Sequence, residues 1–185
     1  EGLIEPAEGL QRIADLALDR IERVRPAAAA EREPLAQGVP AGIGLAGGAI
    51  ALDAAAAERL HAEGRPALLV REDTQTADIA ALAACTGLLT ARGSRTAHAA
   101  VVARQMGKPC LVGCQPLRID LGARTVAFGE HTLREGEPLW IDAEAGQVLA
   151  REPASFLEKP LEALAAVAAW RRTAAARAAE PAARA

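Results

Sequence analysis

Aromatic side chains are nearly missing from this chain of 185 residues: two Trp, two Phe and no Tyr, 2% in all. A core of any size must therefore be assembled from Leu, Val, Ile and Ala, and the hydrophobic share of 51% is inflated by alanine. Lysine is scarce as well; Lys108 and Lys159 are the two, and every other base is arginine. A charge excess is also lacking: 24 acids against 21 bases leave −3, which gives no footing for nucleic-acid binding. No apolar run approaches the ~18 residues that suggest a membrane span. No secretory signal pattern opens the chain, and no internal repeat stands out. The three cysteines, at 85, 110 and 114, have no framework spacing, and their odd count argues for reduced thiols in a cytoplasmic protein. Cys110 and Cys114 are four apart, yet zinc would need two more ligands and His131 alone is a nearby candidate, so no metal is expected.

What is present is a regular alternation of apolar runs and punctuation. Apolar positions at helical spacing predict a helix over 8–24, ended by Pro26, and the proline-bounded stretch 26–34 reads as a linker. Strands are expected at 44–52, 67–70, 88–90, 111–112, 125–128, 132–133, 139–142 and 147–150. Helices are expected at 53–63, with Asp53 as its N-cap and Gly64 as its stop, at 76–84 and at 97–106. A long helix is expected over 156–179. The order fits an α/β domain over 35–151, preceded by a helix and linker at 1–34 and followed by a linker helix at 152–185.

His98 is the residue that points to chemistry. Gly87-Leu88-Leu89 runs into a glycine and hydroxyl loop, Thr90 to Thr96, and a small-residue helix follows, stopped by Gly107 and Pro109. His98 thus falls in a first helical turn, where backbone N–H groups lack partners and the macrodipole is positive. A phosphate can be held there, and an imidazole there can serve as a nucleophile that carries a phosphoryl group covalently. Against this stands the plain alternative of a surface histidine.

The whole segment 86–113 closely resembles the phosphohistidine segment of the phosphoenolpyruvate-utilising enzymes, and of the pyruvate phosphate dikinases in particular. The matching residues are 90–93, 96, 98–104 and 106–110. Leu69-Val70-Arg71 with Thr74, Asp78 and Ile79 resembles a strand and loop of the same family, as do Arg118-Ile119-Asp120, the Glu135-Gly136 turn and Gly146-Gln147-Val148. The resemblance covers most of residues 1–155 and fades in the alanine-rich tail. It implies a swivelling β/β/α phosphohistidine fold with flanking helices. It also implies that His98 shuttles a phosphoryl group between an ATP and phosphate site and a pyruvate and phosphoenolpyruvate site on other domains. Those partners would be a nucleotide-binding ATP-grasp domain and a barrel domain. ATP and Mg²⁺ belong with them; no cofactor is expected on this domain, which alone should not turn over. Phosphoenolpyruvate synthase and phosphotransfer enzyme I are alternatives of the same kind, and a non-catalytic carrier or binding module is one of another kind.

Around His98, Arg92 is a candidate phosphate contact, with Gly93 and Thr96 in the same loop. Arg95 is a weaker candidate. Thr96 is expected to N-cap the helix; the resemblance also makes it a regulatory phosphorylation site, because the matching threonine is one in plant-type dikinases. Thr74 is a loop candidate near His98. Three departures stand out: Ser94 for glycine, Arg95 for methionine and Ala97 for serine. If the family's glycine needs a positive φ, Ser94 would be strained by about 1 kcal/mol. Ala97 brings no hydroxyl, and an Arg before the Thr also occurs in the synthases and in enzyme I. The formal GxGxxG at Gly42, Gly44 and Gly47 lacks a strand before it and a helix after it, so tight turns and close packing are the better account. His61 and His131 read as solvated.

Overall fold

A computed structural model describes residues 5–16, 18, 23–26, 33–74 and 76–179. The chain divides into two compact units, one made of Glu1–Arg23 with Leu157–Ala185 and the other of Val24–Phe156. In chain order the elements are α1 (Pro6–Arg12), β1 (Arg23–Pro26), β2 (Ala36–Gln37), β3 (Val39–Pro40), β4 (Leu45–Ala51), α2 (Ala54–Ala62), β5 (Ala67–Arg71) and α3 (Thr76–Ala84). They continue with β6 (Gly87–Thr90), α4 (His98–Gln105), β7 (Cys110–Val112), β8 (Leu117–Asp120), β9 (Thr125–Phe128) and β10 (His131–Arg134). The last are β11 (Pro138–Asp142), β12 (Gln147–Leu149), β13 (Ser155–Glu158) and α5 (Leu161–Ala179).

The larger unit is built on an eight-stranded sheet in the order β2-β12-β11-β4-β5-β6-β7-β3. Its centre, β4 to β7, is parallel, and antiparallel strands close both sides. Successive side chains on a strand point to opposite faces, and here the two faces bury two separate cores. Ala49, Ala51, Leu69 and Leu88 lie under Ala56, Ala57 and Leu60 of α2, Leu82 of α3 and Ala99, Ala100 and Ala103 of α4. Ile50, Leu68, Val70 and Leu89 lie against Leu117, Val126 and Phe128 of a second, three-stranded sheet, β10-β9-β8. The result is a layer of helices, a central sheet and a second sheet, the mixed α/β class that the sequence suggests. Alanine on the helix faces compensates for scarce aromatics by letting helix and sheet backbones approach closely.

Gly47 illustrates the same economy. It pairs across the strands with Trp140, and a Cβ there would stand 2.0 Å from the indole Nε1. The glycine-rich stretch therefore makes room for a ring on β4 and is no nucleotide loop.

Both ends of the chain depart from expectation. The first helix stops at Arg12 rather than running to residue 24, and Arg23–Pro26 is a strand that pairs with β13. Residues 17, 19–22 and most of the expected linker, 27–32, lie outside the described residues. The last helix begins at Leu161, not at 156, because Pro160 disfavours helix in the residue before it. Strand β8 and the two-residue strands β2 and β3 were not legible in the sequence. In the smaller unit α1 packs on α5, and a Cβ on Gly9 would meet the Trp170 ring at 2.6 Å.

Candidate functional site

Strands β4, β5 and β6 run parallel, so their C-terminal ends share one edge, from which α2, α3 and α4 depart. In open α/β sheets this is where ligands collect. Thr90 ends β6 in a fully buried position, 2% exposed, and its hydroxyl donates to the Arg92 carbonyl at 2.5 Å. The loop after it is tied down by its backbone. Ala91 N–H donates to Arg71 O at 3.0 Å, Arg92 N–H to Glu72 O at 2.8 Å, and Cys114 N–H to Thr90 O at 2.9 Å. At Gly93 the chain reverses with φ +105°, a conformation that L side chains rarely adopt. A Cβ on Gly93 would lie 4.0 Å from the Ala97 Cβ, so the loop closes on itself just before His98.

His98 is the first residue of α4 and is exposed, while Ala99, Ala100 and Ala103 turn to the core. The N-cap is Ala97, in an extended conformation, and no side chain caps the helix. This corrects the expectation for Thr96. Its hydroxyl lies 3.0 Å from the Ser94 hydroxyl instead of reaching the helix N–H groups, because Thr96 sits one residue too early in the loop. Ser94 does not carry a positive φ either; in this loop that conformation belongs to Gly93, so the feared strain is absent. The first turn of α4 thus has no side-chain cap for its N–H groups, and an exposed imidazole stands at this positive end of the helix dipole.

Arg92 pairs with Glu72, 3.0 Å between Nη2 and Oε1, on the surface beside this loop. Thr74 lies on the loop following Glu72, where its N–H donates to the Asp73 carboxylate at 2.8 Å. The same carboxylate would be 3.9 Å from a Cβ on Gly93. The structure therefore brings Arg92, Gly93 and the 72–74 loop together around the turn preceding His98. Arg104, in the last turn of α4, reaches back to the Arg95 carbonyl at a long 3.5 Å. His61, in the last turn of α2, and His131, at the start of β10, are exposed and belong to other parts of the surface. Glu72 was not singled out in the sequence; the signal for it was its place directly after a buried strand at the ligand edge.

A cleft of about 390 Å³ opens at the same edge, between Leu52, Arg71, Glu72 and Asp120. Arg71 is anchored there by Asp78 at 3.0 Å and by the Leu52 carbonyl at 2.7 Å. His98 is not part of its lining.

The sulfur groups offer no competing chemistry. Cys85, Cys110 and Cys114 are buried and free. Burial pushes the Cys85 thiol up to about 11 and the Cys110 thiol up to about 12, which keeps them protonated and poorly nucleophilic. Lys108 spends its ammonium on the carbonyls of Ala83, at 2.7 Å, and Cys85, at the end of α3, where burial lowers its pKa. Among the described residues no group of three or more His, Cys, Asp or Glu could hold a metal ion, and no helix is long and apolar enough to cross a membrane.

Comparison with known proteins points to one family. The chain is 38% identical over 158 residues to pyruvate, phosphate dikinase 1, chloroplastic, of Zea mays, covering 84% of this chain and 17% of that protein. It is 39% identical over 148 residues to the pyruvate, phosphate dikinase of Entamoeba histolytica, covering 80% of this chain and 17% of that protein. It is 40% identical over 152 residues to that of Rhizobium meliloti, covering 82% and 17%. The chain thus spans about a sixth of the length of these relatives. Residues 64–146, which run from the end of α2 through α4 to the turn before β12, match the family described as PEP-utilising enzyme, mobile domain, and this part of the chain belongs to that family.

Proposed function

We propose that this chain is the phosphoryl-carrying domain of a pyruvate phosphate dikinase, with His98 as the catalytic nucleophile. The observation that carries the reading is the placement of His98. It is exposed, at the first residue of a helix with no side-chain cap, inside the matched segment. In one half-reaction an imidazole nitrogen attacks the phosphorus of phosphoenolpyruvate. The N–P bond forms, the P–O bond to the enol oxygen breaks, and the enolate leaves to become pyruvate on protonation. The first-turn N–H groups of α4 receive phosphoryl oxygens. Running this step backwards delivers the group to pyruvate.

The other half-reaction, on a nucleotide, calls for an ATP-grasp domain and Mg²⁺ beyond this chain. The acceptor calls for a barrel domain. A covalent carrier is needed because the two half-reactions occur in different places. The segments 26–34 and 152–160, flanking the domain at 35–151, are our candidate hinges. Three free, buried thiols suit a reducing, cytoplasmic compartment. Thr96 is exposed, with its hydroxyl 3.0 Å from that of Ser94, and is the position we read as open to a regulatory kinase; a phosphate there would repel an incoming phosphoryl group.

The test is labelling. Full-length protein incubated with phosphoenolpyruvate labelled in its phosphoryl group should gain acid-labile label on His98. His98→Ala should abolish it. Label that survives this substitution would sink the reading. A requirement for inorganic phosphate and release of pyrophosphate would favour the dikinase over the synthase.

A further inference from the structure

We propose that Glu72 is a positioning residue for phosphoryl transfer. It holds the Arg92 guanidinium in the unphosphorylated domain and yields it once His98 carries a phosphoryl group. This inference rests on the carrier reading of His98.

Arg92 is fixed at both ends of its peptide: its N–H donates to Glu72 O at 2.8 Å and its carbonyl accepts the Thr90 hydroxyl at 2.5 Å. Only its side chain is free to change partner. That side chain is 73% exposed and ends on the Glu72 carboxylate, itself 62% exposed, at 3.0 Å. An ion pair so open to water and salt is held weakly. The Gly93 turn brings the chain back towards Ala97, 4.0 Å from where a Cβ on Gly93 would stand, so Arg92 and His98 lie on either side of one close turn.

Phosphorylation changes the competition. A phosphoryl group brings about two negative charges at neutral pH and three acceptor oxygens, against one charge on Glu72. Its oxygens can also receive the guanidinium through two parallel N–H bonds. The α4 N–H groups engage one side of the phosphoryl group, and Arg92 can close on another. In the unphosphorylated domain Glu72 neutralises Arg92, so the pair offers little to anions that are merely passing.

The experiment uses the full-length protein equilibrated with phosphoenolpyruvate and pyruvate at a fixed ratio, reading the fraction of His98 that is phosphorylated. Glu72→Gln removes the competitor and should raise the ratio of phosphorylated to free His98 by about threefold, the scale of an exposed ion pair. Arg92→Gln should lower the ratio, and adding Glu72→Gln to it should change nothing more. Glu72→Asp should return the ratio towards that of the parent. Melting temperature is read alongside, since a purely structural role for Glu72 would move stability without an Arg92-dependent shift in the ratio. An unchanged ratio in Glu72→Gln, or a shift that persists without Arg92, overturns this inference alone. Absence of label on His98 in the parent protein overturns the carrier reading, and this inference with it.

Discussion

Helices α2 and α4 leave the same edge of the parallel sheet, yet their first turns are finished in opposite ways. Asp53 caps α2: its carboxylate accepts the Ala56 N–H at 2.8 Å. Arg124, from the turn before β9, clamps that carboxylate at 2.6 Å and also engages Glu135. Glu135 in turn pairs with Arg59 of α2 at 3.2 Å and accepts the Leu52 N–H at 3.3 Å. The start of α4 has none of this. Its N-cap is alanine, and a histidine stands in the open beside it. A missing cap costs a helix about 1 kcal/mol, so the second arrangement is less stable as it stands. The comparison teaches that one helix end is built for stability, while the other gives up that stability at the residue we propose as the phosphoryl carrier. One first turn is satisfied from within the protein, and the other has no side-chain cap, as our carrier reading of His98 requires.

The sharpest way to break this contrast is to give α4 the cap that α2 has. Ala97→Asp should raise thermal stability slightly, by about 0.5–1 kcal/mol. It should also cut phosphoryl uptake on His98 on the order of a hundredfold, because the carboxylate occupies the N–H groups and repels the phosphoryl group. Undiminished labelling of that variant would mean that the open helix end is not used.

The reverse change should act on stability alone. Asp53→Ala should cost about 1–2 kcal/mol in denaturant unfolding, with His98 labelling unchanged in the folded fraction. Its pH dependence follows from the bond to Arg124, which holds the Asp53 carboxyl below its ordinary value of 3.8. A carboxylate depressed in the folded state contributes stability above the unfolded value and loses it as pH falls through the folded one. Asp53→Asn keeps a capping oxygen but cannot titrate. Its stability should therefore fall less steeply than that of the parent below about pH 4, measured by unfolding midpoints across the acid range.

The smallest effect is expected within the His98 loop. Gly93→Ala, at φ +105°, should cost about 1 kcal/mol. Ser94→Gly, at the neighbouring position, should stay within about 0.5 kcal/mol of the parent. Equal losses for the two would contradict the assignment of the left-handed turn to Gly93.

How much was legible before the fold was known depended on distance along the chain. The Asp53 cap, the Gly64 stop, the strand at 125–128 and the helix at 76–84 are written in signals that act within about one helical turn, and they appear where the spacing predicts. The failures are of another kind. Apolar spacing over 8–24 is helical, but pairing with β13 draws Arg23–Pro26 into a strand. Thr96 has the right chemistry for a cap, yet the Gly93 turn and the Ser94 hydroxyl set the helix to begin one residue later. For Asp53, local reading reached the cap but could not reach Arg124, 71 residues away.

The sequence by itself therefore determined the alternation of strands and helices, the family resemblance and the candidacy of His98, since each rests on a contiguous string. Only the tertiary structure decided that α4 starts without a cap, that Glu72 holds Arg92, and that the thiols and Lys108 are spent on the interior. The physical reason is that a side chain's chemistry is set by what stands next to it. At the edge of a parallel sheet those neighbours arrive from separate strands, brought together by backbone hydrogen bonds that no local pattern encodes.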